Sequence, residues 1–244
     1  MNRPFKLLMF FLTAATAAAG ETFRFDAEIG PDKRAVTLHG YAFREQEETF
    51  RIIDLSTQPS TRMGDAFVAA TAFAGCNGGN LRPDGQPFGL MIASSVKSGS
   101  LAIGEPGGEG LLLVKNGGIS LLTSKAATPG HFENAEQALQ GGPFLVDNGI
   151  PFEGLDAEHF ARRTLVVTSG HGEWAILYSP STTLNLLARM LGDGKTFPKF
   201  KIATALNLGG GTASGIWFQR SDGAPPLYLR EITPGRNVLA VMAK

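Results

Sequence analysis

Hydrophobic and polar positions alternate with period two along much of the chain. Phe23, Phe25, Ala27 and Ile29 fall on one face, and Arg24, Asp26 and Glu28 on the other, which predicts a half-buried strand. Ala35 to Phe43 and Thr49 to Leu55 follow as strands around the polar turn Glu45 to Glu48. Arg62 to Gly75 reads as a short helix over 65–70 leading into a strand. Pro87 to Ala93 reads as a buried strand between polar loops. Leu111 to Val114 and Ile119 to Thr123 form a hairpin whose Asn116-Gly117 supplies positive φ. Asn134 to Leu139 reads as a helical turn, and Phe144 to Val146 as a short strand. Arg163 to Thr168 and Trp174 to Tyr178 make a second hairpin around Ser169 to Glu173.

The period changes once. Leu184, Leu187, Ala188 and Leu191 give the i, i+3, i+4, i+7 stripe of an amphipathic helix over 183–191, capped by Ser181 or Thr182 and stopped by Gly192. Ile202 to Leu208 then runs into the glycines 209–211. Gly215 to Gln219, Leu227 to Ile232 and Asn237 to Val241 complete the strands. Strands dominate and the helices do not alternate with them. The expected fold is α+β: a single domain over 21–244 with a mixed or antiparallel β-sheet core and a few short helices.

The first twenty residues carry a different signal. Arg3 and Lys6 precede the apolar run Leu7 to Leu12, and small residues follow from Ala14 to Gly20. That is the layout of a secretory signal peptide over 1–20 with a cleavage site near Ala17 to Ala19. The run is too short to span a bilayer comfortably, so a periplasmic or secreted protein without a stable membrane span is expected. Cys76 is the only cysteine, which excludes an internal disulfide and a thiolate metal cluster. Formal net charge is zero and no basic run is present, which argues against a nucleic-acid partner. His39, His131 and His159 have no spacing that suggests a metal, and no cofactor is implied.

Candidate chemistry sits in loops at strand ends, where sites are commonly built. Asn77, Gly78 and Gly79 follow an apolar strand. Gln140, Gly141 and Gly142 precede Pro143. Arg163 and Thr164 open a strand, and Arg163 offers a planar guanidinium suited to phosphate or carboxylate. Asn207 to Ser214 carries Gly209, Gly210, Gly211 and Thr212. Alone, these glycines read as a packing turn; with Thr212 and Ser214 behind them they also suit an anion.

Four segments, NGGNLRPDGQPFGLMI (77–92), QGGPFLVDNG (140–149), Arg163-Thr164 and ALNLGGGTASG (205–215), occur in the order and spacing of a known family. Over about 50–218 the chain resembles the phosphodiester glycosidase family, also called the uncovering-enzyme domain. The resemblance implies hydrolysis of a sugar-1-phosphodiester in one pocket. Arg163 and the turn N–H groups of Gly209 to Gly211, with Thr212, would hold the phosphate. Asn77, Gln140 and Asn207 would meet sugar hydroxyls, with Gly78, Gly141 and Thr164 lining the site. The family usually carries Asp where Gly209 stands and Ser where Gly141 stands. Glycoside hydrolysis commonly needs carboxylates; Asp84, Asp147 and Glu173 are the nearest in sequence, and His171 can serve as acid or base. The alternative expectation is a binding module for a glycan or phosphoglycan that has lost the chemistry.

Overall fold

The computed structural model describes residues 20–220 and 224–244. The expected leader lies outside the described residues apart from Gly20. Three antiparallel sheets make up the fold. The first has seven strands in the order β1 (Glu21–Ile29), β2 (Arg34–Arg44), β13 (Glu173–Thr182), β12 (Ala161–Thr168), β14 (Thr204–Gly210), β10 (Phe144–Asp147), β11 (Ile150–Pro151). The second runs β16 (Leu227–Leu229), β15 (Ile216–Phe218), β4 (Ala74–Asn77), β17 (Asn237–Ala243), β3 (Glu48–Asp54). The third runs β6 (Val96–Ser98), β5 (Met91–Ala93), β9 (Gln137–Gly141), β7 (Gly110–Lys115), β8 (Gly118–Thr123). Short helices α1 (Met63–Ala69), α2 (Pro129–Phe132) and α3 (Leu184–Gly192) lie outside the sheets.

One face of every sheet meets at a shared core. Tyr41, Val166, Ile176 and Leu206 come from the first sheet, Cys76, Phe218 and Leu239 from the second, and Leu112 and Leu139 from the third. The opposite faces are covered as well. The stripe of α3 packs with Leu165, Val167 and Leu177, α1 packs on Trp217, Val238 and Ala240, and Leu111, Leu113 and Ala138 gather Ala127 and Ala135. A strand buried on both faces reads as a continuous apolar run rather than an alternating one. That accounts for Leu111 to Val114, Leu165 to Val167 and Val238 to Val241.

The structure corrects several expected elements. The helical turn over 134–139 is absent: Asn134 sits at φ +59° just beyond α2, and 137–141 is strand β9, buried throughout and central in its sheet. Its polar residues serve neighbouring backbone, Gln137 Oε1 accepting from Ile52 N and Ser94 N. The strand expected from Pro87 begins only at Met91, because Pro87 makes a single bridge to Leu81 and Gly89 turns the chain at φ +87°. Thr183, not Ser181 or Thr182, caps α3 by accepting from Leu186 N, and Gly192 is the last residue of the helix. The run 227–232 is strand only to Leu229. The glycines are not a three-residue turn either. Gly209 and Gly210 continue β14, and only Gly211 turns, at φ +78°, into a 3-10 turn over Gly211–Ala213.

Candidate functional site

The candidate residues gather where the three sheets meet. Asn77 ends β4 and is almost fully buried. Its Oδ1 accepts from Thr164 Oγ1 at 2.8 Å and from Gly215 N at 3.3 Å, while its Nδ2 donates to Gly78 O at 3.1 Å. One amide therefore ties the second sheet to β12 of the first and to the segment leaving β14. Gly78 and Gly79 follow because nothing larger fits. A Cβ on Gly78 would lie 1.8 Å from Asn237 Oδ1, and one on Gly79 2.5 Å from Gln140 O.

A bulge in β14 distributes the rest. Thr164 pairs with Gly209 but Leu165 pairs with Asn207, so Leu208 has no partner opposite it. In a regular strand residues 207 and 209 would share a face. Here Gly209 faces the seam with Thr164, and a Cβ on it would lie 3.1 Å from Asn77 Nδ2 and 3.6 Å from Asn80 Oδ1. Asn207 lies opposite Leu165, on the face covered by α3, with Nδ2 donating to Gly142 O at 2.8 Å. Arg163, opposite Gly210, is on that side too. A Cβ on Gly210 would come within 2.6 Å of Arg163 Nη1, so a bare strand lets the guanidinium lie along β14. Arg163 Nη2 donates to His159 O at 3.3 Å and stands 3.9 Å from Asp156 Oδ2. Burial lowers the Arg163 pKa and Asp156 partly opposes that; the group stays charged. Asp156 is held at about 2, chiefly by the N–H groups of Glu158 and His159.

The other expected residues take different places. Gln140 is 1% exposed, and its side chain is fully engaged: Oε1 accepts from Leu90 N and Ala102 N, and Nε2 donates to Ala102 O and Gly108 O. It staples two loops, the one before β5 and the one between β6 and β7. A Cβ on Gly141 would lie 3.1 Å from Asn207 O and 3.6 Å from the Leu208 α-carbon. Thr164 is fully buried and holds Asn77. Thr212 is exposed, and its carbonyl accepts from Ile232 N and Thr233 N.

His171 is not with these residues. It lies at the other end of the β12–β13 hairpin, where Thr168 pairs with Trp174. At about 3.3 Å per residue, the five positions from Arg163 to Thr168 span roughly 17 Å. There His171 and Glu173 line a hollow of about 350 Å³ with Asn148 and Lys201. Asp147 is at that same end of the sheet, two residues beyond Leu145 on β10, whose Val146 pairs with Ala205. Asp84 sits in an exposed turn, accepting from Gln86 N. Another hollow of about 650 Å³, beside Ile92, Lys97 and Phe132, belongs to the third sheet and α2.

Two residues at the junction stayed hidden in the sequence. Asn80 donates to Gly107 O at 3.4 Å and aims its oxygen at Gly209. Glu109, half-buried, has Oε2 accepting from Gly107 N at 2.9 Å and lying where a Cβ on Gly142 would be. A carboxylate therefore stands between the loop that Asn80 touches and the glycine whose carbonyl Asn207 holds. The only sequence signal was an acid inside the run Gly107 to Gly110.

Five buried polar atoms in this region have no hydrogen-bond partner among the described residues: Arg163 Nε, Ser179 Oγ, Asn207 Oδ1, Ser214 Oγ and Asn237 Oδ1. Ser179 pairs with Arg163 across β12–β13, and Asn237 O accepts from Gly78 N. Buried polar groups are normally satisfied, so these five atoms single out this region of the molecule.

The fold is that of a β-rich protein in which Asn77, Thr164, Asn207 and a largely buried Arg163 lie on or beside β14 and β12. No protein-family model matches the chain, and no curated protein does. Among solved structures it is similar to the zebrafish N-acetylglucosamine-1-phosphodiester alpha-N-acetylglucosaminidase catalytic domain, auto-inhibited by its pro-peptide. The TM-score is 0.69 at 15% identity, over 94% of this chain and 85% of that one. A hypothetical protein from Synechocystis matches with a TM-score of 0.56 at 11% identity, over 93% of this chain and 62% of that one. At these identities the likeness is one of fold. No helix among the described residues is long and apolar enough to cross a membrane.

Proposed function

We propose that the chain is an exported hydrolase that cleaves a sugar-1-phosphodiester at the junction of the three sheets and releases the sugar. The observation that carries this reading is a largely buried arginine on β12 whose Nε, with Ser179 Oγ on the paired strand, has no hydrogen-bond partner among the described residues. The zebrafish fold-mate, a phosphodiester glycosidase by name, agrees with it. A phosphodiester laid over the bare end of β14 meets Arg163 beside Gly210 and Asn77 Nδ2 beside Gly209. Arg162 and Arg230, joined by Arg162 Nη1 to Arg230 O, add positive charge at the rim.

Glu109 supplies the carboxylate that position 209 lacks. Gly107 N fixes one of its oxygens, and the other takes a proton from water as the water oxygen attacks the anomeric carbon. The bond from that carbon to the phosphate oxygen breaks, its electron pair stays on the phosphate, and Arg163 balances the added negative charge. Glu109 then returns the proton to solvent. Purified protein incubated with a panel of sugar-1-phosphodiesters should release free sugar. Arg163→Ala should lower kcat/KM by about 10²- to 10³-fold, and Arg163→Lys should not restore it, because an ammonium cannot replace a planar fork. Release of no sugar from any of the panel would overturn the reading.

The glycine at 209 favours a second reading, a glycan-binding module without turnover. If the parent binds sugar phosphates in calorimetry without cleaving them while Gly209→Asp gains hydrolysis, that reading replaces the first.

A further inference from the structure

We propose that the mature chain begins at Gly20 and that its α-ammonium group forms an ion pair with the buried carboxylate of Glu48. Gly20 N donates to Glu48 Oε1 at 2.8 Å. Glu48 is 1% exposed, at the start of β3, and the same oxygen accepts from Tyr41 Oη at 3.0 Å. Burial, and then the neighbouring Glu48, push the Tyr41 phenol far above its usual range, so its proton stays in place to donate. Gly20 also fits where no other residue would. A Cβ on it would lie 2.6 Å from two Tyr41 ring carbons and 2.7 Å from Ala42 O. The next residue, Glu21, opens β1 by pairing with Ala42.

Two independent features thus meet at one peptide bond. Three alanines, 17–19, supply the small side chains that leader-removing proteases accept. On the other side, the nitrogen freed by cutting after Ala19 already points at a buried carboxylate. Hydrolysis there adds water across the bond: the hydroxyl goes to the carbonyl carbon of Ala19, the hydrogen to Gly20 N, and a further proton from solvent makes the ammonium. A neutral amide donor becomes a charged one, which strengthens the bond to Glu48. β1 is an edge strand of the seven-stranded sheet, so leader removal itself fixes that edge.

The test begins with the full chain produced in an exporting bacterial host, its product read by intact mass and N-terminal sequencing. The expected product starts at Gly20. Its α-amine should be acylated by an activated ester at least ten-fold more slowly in the folded protein than in urea. Acetylating that amine should lower Tm by roughly 5 °C, and should change little in Glu48→Gln. A mature chain starting elsewhere, or a Gly20 amine that reacts as fast folded as unfolded, would overturn the proposal. The acylation comparison uses the natural sequence, so it decides the matter even if Glu48→Gln fails to fold.

Discussion

Asn77 joins three segments remote in sequence: its own strand, Thr164 on β12 and Gly215 beyond β14. Truncation to Ala leaves the Thr164 hydroxyl and the Gly215 N–H buried without an acceptor. Asn77→Ala should therefore cost roughly 1–3 kcal/mol, read as a lower midpoint in urea at unchanged slope. Glu109 belongs to another class, since its carboxylate makes one backbone hydrogen bond and packs on a glycine. Glu109→Gln keeps size and acceptor while removing the proposed base. It should leave Tm within a degree or two and lower kcat by about 10²- to 10⁴-fold on any diester the parent cleaves. Unchanged kcat would remove Glu109 from the mechanism and leave the fold reading untouched.

At the level of elements, the segment before β12 sets the charge around Arg163. Its Asp156 carboxyl is held at about 2, below the ordinary 3.8, by the N–H groups of Glu158 and His159. A lowered folded pKa means these bonds are complete above pH 3.8 and are lost as pH falls through 2. The Glu158 and His159 amide resonances should titrate with a midpoint near pH 2; a midpoint near 3.8 would mean the bonds do not persist in solution. The same protonation removes the negative charge that faces Arg163. Elements that follow one simple period were legible from the chain: β1 to β3, the two hairpins, and α3 by its stripe. β9 was not, because its glutamines look helical and polar until the strands whose backbone they serve are placed beside them. The bulge at Leu208 was equally hidden, since it exists only in the pairing of β14 with β12. Without it, Asn207 and Gly209 read as neighbours on one face. His171 lies in the hairpin loop that the sequence indicated, at the end of β12 away from Arg163, so closeness in sequence does not bring the two together in space.

For the molecule as a whole, three sheets share one core, and that core holds Cys76, fully buried, with burial raising its thiol pKa well above the usual range. The glycine and asparagine segments of the site were visible in the sequence, but their meeting place depends on how the sheets close on each other. That closure relies on β17, which lies between β4 and β3 and hydrogen-bonds to both. A chain ending at Arg236 loses both pairings together with Val238, Leu239, Ala240 and Val241 from two packed clusters. It should show no cooperative unfolding transition by circular dichroism, whereas the full chain should show one.

That position of the last strand also governs timing. β3 and β4 are made within the first 77 residues, yet the strand that separates them, β17, begins only at Asn237. β2 likewise waits for β13, more than a hundred residues downstream. Contacts of such long range form late and slowly. Until β17 emerges, β3 and β4 lack the strand that joins them, so local hairpins such as β1–β2 and β12–β13 can pair before the three sheets close on one another.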